Sequence, residues 1–139
     1  MYMDVDDYAV VIGTKALDVV SQTDEAIRTA AQKEAVEEIS GYLRPKYDCD
    51  RIFSAEGEAR NGQILMYACD IALYHMTSST PMKMGMEIRK ERYDRAIQWL
   101  EDVQSGKILP DIPEAVTDDG ESAAPSVLFG SKKCVDNSY

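Results

Sequence analysis

The chain has 139 residues and a formal net charge of −10, from 25 acidic and 15 basic residues. This length predicts one domain with a core of its own and excludes two domains of ordinary size. The acidic balance argues against a protein that holds nucleic acid tightly, because such binding depends on cations that neutralise phosphates.

The N-terminus is acidic where a signal peptide would be basic, so we expect a protein that stays in the cytoplasm. Asp4, Asp6 and Asp7 lack the glycine and the distal glutamate of a calcium loop and are read as solvated acids. Two short apolar runs follow, Tyr8 to Ile12 and Leu17 to Val20. Val10-Val-Ile12 could form a strand by propensity, since short apolar runs fit both strand and helix, but we favour two short helical turns.

The first long helix is predicted from Asp24 to Gly41, with Thr23 or Asp24 as its N-cap. Its apolar residues recur every four positions and should stack on one buried face: Ile27, Ala31, Ala35, Ile39 and Leu43. Its carboxylates are interpreted as a uniformly exposed face rather than a catalytic pair: Asp24, Glu25, Glu34, Glu37 and Glu38.

A turn-rich connection over residues 44–61 should include a helical turn within Ser54 to Arg60. The second long helix, Gln63 to Thr77, is apolar on more than one face and should be the most buried element. Asp70 in its middle must face solvent, a partner or an arginine of the next helix. His75, the only histidine, is interpreted as structural because no nucleophile is predicted beside it.

The third long helix is predicted from Glu87 to Gln104, with Trp99 on its flank and an inward stripe at Tyr93, Ala96, Ile97, Leu100 and Val103. It carries the basic residues Arg89, Lys90, Arg92 and Arg95, but acidic residues alternate with them and weaken their field. The intervals between helices are also too long for a helix-turn-helix. We therefore expect ion pairs within the chain, or pairs between Arg89, Arg92 and Arg95 and the Glu34, Glu37 and Glu38 face of a neighbouring copy.

After Pro113 the sequence changes character, which predicts a helical domain over residues 1–113 and an arm over residues 114–139. Glu114 to Pro125 is acidic and rich in small residues, as flexible linkers are. The apolar patch Val127, Leu128 and Phe129 follows it. This patch either folds back on its own domain or docks on a partner, for instance as an added strand.

The three cysteines Cys49, Cys69 and Cys134 are widely spaced, which argues against a disulfide framework and a zinc site. With one histidine besides, the chain offers little material for catalysis. We expect no enzyme and no cofactor. The predicted fold class is all-α: a small bundle of three main helices with short N-terminal turns and an extended C-terminal arm.

Four short sequence motifs occur in a characteristic order and spacing: Tyr42-Leu-Arg-Pro-Lys-Tyr47, Asp70-Ile-Ala-Leu-Tyr74, Arg92-Tyr-Asp-Arg-Ala-Ile-Gln-Trp-Leu100 and Gly106-Lys107. With them the chain resembles the head–tail connector (adaptor, or head-completion) proteins of tailed bacteriophages, in particular the Mu-like branch. The resemblance covers about residues 4–113.

The resemblance implies a dodecameric ring in the virion neck, below the portal protein, that extends the DNA channel and receives the tail or a stopper protein. It also implies that the C-terminal segment docks on the portal, which would give Val127, Leu128 and Phe129 a role. Double-stranded DNA would pass through without specific binding, and no membrane would take part. The alternative is a monomeric cytoplasmic helical adaptor that binds another protein.

Overall fold

The computed structural model describes residues 1–81 and 85–116 of the chain. They form six α-helices and a 3-10 turn (Gly57–Ala59): α1 (Val5–Ile12), α2 (Thr14–Val20), α3 (Glu25–Leu43), α4 (Cys49–Ser54), α5 (Gly62–Ser79) and α6 (Met86–Gln104). The predicted all-α bundle with three long helices and two short N-terminal ones is confirmed. The docking residues Val127, Leu128 and Phe129 lie outside the described residues, as does most of the predicted linker.

Helix α5 is the centre of the bundle, and α1, α2, α3 and α6 all pack against it. Its apolar side chains are buried on several faces, as the sequence predicted: Ile64, Ala68, Ile71, Ala72, Leu73 and Met76. Each large side chain fully removed from water contributes about 1.5–3 kcal/mol. Within the described ranges, no helix has the length and apolarity needed to cross a membrane.

Helix α3 begins where the sequence predicted and ends two residues later. The Asp24 carboxylate accepts a hydrogen bond from the Ala26 amide at 2.9 Å and caps the first turn. The helix continues through Gly41 to Leu43, so the predicted stop at Gly41 was wrong. Gly41 keeps a helical backbone because Leu43 is buried and holds the last turn on the core.

Trp99 was expected on the flank of the third helix but is only 6% exposed. Its ring lies 5.0 Å from that of Tyr67 on α5. Tyr93 and Ile97, which were expected inside, are half-buried. Ala96, Leu100 and Val103 of the predicted stripe are buried, and Trp99 widens the buried face of α6 toward α5.

The connection between α3 and α5 contains α4, which the sequence did not predict, and the 3-10 turn inside the predicted segment. The chain returns to this connection after α6. The Asp48 amide donates to the Pro113 carbonyl at 2.9 Å, and the Ala115 amide donates to the Lys46 carbonyl at 3.1 Å. These bonds form a short antiparallel bridge between Tyr47 and Glu114. The first residues beyond Pro113 are thus held on the bundle.

An ion pair holds the N-terminus on the bundle. The Arg60 guanidinium donates to both carboxylate oxygens of Asp7, at 2.7 and 3.2 Å, and to the Tyr2 carbonyl at 2.8 Å. Asp7 also exchanges bonds with Asp4 in a capping box at the start of α1. Gly13, at φ 88°, then turns the chain from α1 into α2. Arg60 therefore fixes the position of α1 against the start of α5.

The Arg60–Asp7 pair makes stability depend on pH. Burial raises the pKa of the Asp7 carboxyl, but the hydrogen bonds and charge of Arg60 and the bonds from Asp4 outweigh it, so the pKa is lowered. The pair therefore stabilises the fold above the unfolded-state pKa of about 4, and that stabilisation is lost as pH falls through the lower folded pKa.

Asp7→Asn should lower the free energy of unfolding at pH 7 and have a shrinking effect below about pH 4.

Urea unfolding at pH 7, 4 and 3 measures this difference. Asp18→Asn, at an exposed position on α2, is the matched control and should change the free energy of unfolding little at all three pH values. An Asp7→Asn cost that stays the same at all three pH values would contradict the assignment.

Candidate interaction surfaces

An apolar groove runs between α1 and the first half of α5. Its exposed rim includes Val10, which is 88% exposed, and Met66, which is 38% exposed. The groove is lined by Asp7, Val10, Val11, Gly62, Leu65, Met66, Cys69 and Arg92. The two ends of this surface are charged and its middle is apolar. We call it the α1–α5 groove.

Arginines line the side of α6 next to this groove. Arg89, Arg92 and Arg95 are three residues apart and so lie on one side of the helix. Arg92 donates to the Asp70 carboxylate of α5 at 2.6 Å. This confirms one of the positions that the sequence allowed for Asp70, beside an arginine of the next helix.

One buried carboxylate thus faces three guanidinium groups. Burial raises the pKa of Asp70, and the hydrogen bond and charge of Arg92, with the charges of Arg89 and Arg95, offset this only in part. Burial and the like charge of Arg92 lower the pKa of Arg89. The Arg89 Nη1 atom is buried and has no hydrogen-bond partner in the part of the chain that the structure describes. Among the described residues, neither Arg89 nor Arg95 forms an ion pair. Positive charge therefore exceeds negative charge around Asp70.

The acidic face of α3 divides into two parts. Glu34 and Glu37 are exposed, and Glu37 accepts a bond from Arg44 at 3.2 Å. Glu38 instead lies against α5 and α6. It contacts His75 Nε2 at 3.0 Å and accepts a hydrogen bond from the Tyr93 hydroxyl. The interpretation of these carboxylates as uniformly exposed was wrong for Glu38.

His75 lies in this internal cluster, as the structural interpretation of the sequence expected. The Tyr93 ring stacks on Tyr74 at 4.2 Å, and the His75 ring meets both tyrosines edge-on. Burial, and then the bond to Glu38, raise the pKa of Tyr93. The cluster joins α3, α5 and α6.

The six residues predicted to pair between subunits therefore differ in their surroundings. Glu34, Glu37 and Arg95 are exposed, and in the described part of the chain Glu34 and Arg95 have no ion-pair partner. Glu38 and Arg92 make bonds within the chain, and Arg89 is buried. Pairing between subunits stays a prediction, and its exposed members are the ones able to reach another copy.

The described residues bring together no group of three histidine, cysteine or acidic side chains suited to a metal ion. Cys69 lies at the base of the groove, and burial raises the pKa of its thiol to about 12. It therefore packs as a small apolar side chain, as the sequence suggested. The expectation that the protein is not an enzyme stays a prediction.

The α1–α5 groove was not predicted from the sequence. The signal was the run Val10-Val-Ile12 in a short helix, since three consecutive apolar residues point in directions 100° apart and cannot all reach one core. Val11 and Ile12 pack on the core, and Val10 points outward.

The Asp70–Arg92 pair allows a double-mutant cycle. Arg92→Met should destabilise the fold by about 3 kcal/mol, because it removes the bonded partner of a buried carboxylate. Asp70→Leu combined with Arg92→Met should recover much of that loss, because both polar groups are then gone. Urea unfolding measures the four free energies.

Lys90→Met, which removes the exposed pair with Asp94 on the same helix, is the control and should change stability little. Equal losses for the single Arg92→Met variant and the double variant would show that Asp70 does not depend on Arg92.

The family described as Bacteriophage Mu, Gp36 matches residues 2–128 of the chain. Searches of curated proteins and of solved structures gave no match. The match covers all six helices and confirms the Mu-like part of the resemblance, whereas the connector role stays a prediction. This chain belongs to the bacteriophage Mu Gp36 family.

Proposed function

We propose that this phage protein is a structural component of the virion neck. Copies of the chain form a dodecameric ring below the portal protein, extend the DNA channel and offer the surface on which the tail or a stopper protein docks. Membership of a phage Mu family supports a structural or assembly role in a phage. The number of subunits follows from the resemblance to connector proteins.

The observation that carries the proposal is a pair of unlike charged surfaces on different helices. Glu34 and Glu37 are exposed on α3, and Arg95 is exposed on α6 without an ion pair among the described residues. A closed ring needs such heterologous contacts, in which one face of a subunit meets a different face of the next. Opposite charges on the two faces favour one register and penalise wrong ones.

The net charge of −10 fits a conduit for DNA. Acidic residues that face the channel would repel the phosphates of a passing duplex and prevent it from adhering. Transient passage without specific binding is what the role requires. It requires no catalysis and no cofactor.

The C-terminal patch gives the proposed contact with the portal. Val127, Leu128 and Phe129 are apolar residues that follow an acidic segment. We assign this patch to portal docking, by strand addition or by insertion into an apolar site.

Electron microscopy of the full chain mixed with the portal protein of the same phage tests the role. The wild-type chain should add a ring layer to the portal. Arg95→Glu should weaken the layer, and Glu34→Arg in the same chain should restore it, because the swapped charges meet again between neighbours. Lys33→Glu, which reverses an exposed charge next to Glu34, serves as the control for charge change alone.

A chain that stays monomeric and adds no density to the portal would contradict the proposal and favour the monomeric adaptor. A ring that forms equally well in all variants would retain the neck role and remove the charge pairing. Leu128→Asp tests the docking patch separately, and it should reduce portal binding without changing the fold of residues 1–116.

A further inference from the structure

The α1–α5 groove has no occupant among the described residues, although its chemistry is that of a binding site. Val10, at 88% exposure, is the most exposed of the large apolar side chains described. It stands beside Met66 and Leu65 in one continuous surface. Contiguous exposed apolar surface of this kind marks a site where another segment binds.

The charges beside the groove specify what binds. Arg92 belongs to its lining, and Arg95 follows one turn later on the same side of α6. Within residues 1–81 and 85–116, Arg95 has no ion pair, and one buried guanidinium nitrogen of Arg89 has no hydrogen-bond partner. The matching occupant therefore combines apolar side chains with carboxylates nearby.

The C-terminal segment of this chain has that composition. Three carboxylates, Asp118, Asp119 and Glu121, precede the apolar residues Val127, Leu128 and Phe129. The stretch from Glu121 to Val127 spans up to about 20 Å when extended, more than the roughly 10 Å width of one helix. This spacing allows the carboxylates of the segment to lie beside α6 while its apolar side chains lie between α1 and α5.

The segment also reaches the groove from its own domain. The described chain ends at Val116, and the eleven residues from there to Val127 span up to about 36 Å. The segment also starts on the side of the bundle where the groove lies, because Pro113 and Gly62 line one cavity and Gly62 also lines the groove. A short tether raises the effective concentration of the segment to about the millimolar range, which favours its own groove over that of another copy.

We propose that, in the free protein, Val127, Leu128 and Phe129 occupy the α1–α5 groove of their own chain, with the preceding carboxylates beside Arg92 and Arg95. The groove and the apolar patch then shield each other from water until a partner competes for one of them. This inference concerns the isolated chain and does not depend on the proposed neck role. If both hold, portal docking begins with release of the patch from the groove.

Hydrogen exchange of the full chain, followed by mass spectrometry, tests the inference. Amides of residues 126–130 should exchange at least about tenfold more slowly than in a free peptide of the same sequence. Val10→Asp should remove this protection, because a carboxylate then replaces an apolar contact. Val19→Asp is the matched control, since Val19 is 49% exposed on α2 and lies outside the groove.

Phe129→Asp is a second variant, which leaves the groove intact. It should accelerate exchange at residues 126–128 to the same extent as Val10→Asp does. Unprotected amides in the wild-type chain would overturn the proposal, as would protection that Val10→Asp and Phe129→Asp leave unchanged. The measurement is repeated at a higher protein concentration. Protection independent of concentration supports occupancy by the same chain, and protection that grows with concentration overturns it in favour of a second copy.

Discussion

The rest of the structure depends on how one buried carboxylate is neutralised. Asp70 stands in the middle of the most buried helix, and Arg92 bonds to it from α6. An unpaired charge at this depth would cost several kcal/mol, so α6 must turn its arginine side toward α5. This orientation of α6 also places Trp99 against Tyr67, and Tyr93 against Glu38 of α3. A single polar contact thus sets which faces of α6 are internal.

The same orientation of α6 determines which of its side chains remain exposed. With Arg92 held against Asp70 in the lining of the α1–α5 groove, Arg95 lies one turn further along α6 and is exposed. The opposite wall of the groove is held by the Arg60–Asp7 pair, which fixes α1 against the start of α5. Two ion pairs therefore hold the two sides of one apolar surface. A protein whose polar contacts position surfaces in this way is suited to assembly with other chains.

Much of this architecture follows from the sequence, and the exceptions have physical reasons. The apolar spacing of α3, α5 and α6 gave the three long helices, and the lone acid in an apolar helix anticipated the pairing of Asp70. Trp99 was expected on the flank because apolar periodicity alone does not show that the Arg92–Asp70 pair brings this side of α6 onto α5. The sequence alone does not distinguish Glu38 from its exposed neighbours, because only the folded structure brings His75 and Tyr93 next to it. Gly41 did not stop α3, because packing of Leu43 overrides local propensity.

The position proposed for this protein is the junction of head and tail. The most direct measurement is electron microscopy of assembled phage particles labelled with an antibody against exposed residues of α2, such as Lys15 and Asp18, which lie outside the proposed contact between subunits. The account predicts label at the single vertex where the tail joins the head, and in tailless heads on the portal vertex. Label spread over the capsid shell or along the tail, or absence of the protein from purified particles, would contradict it.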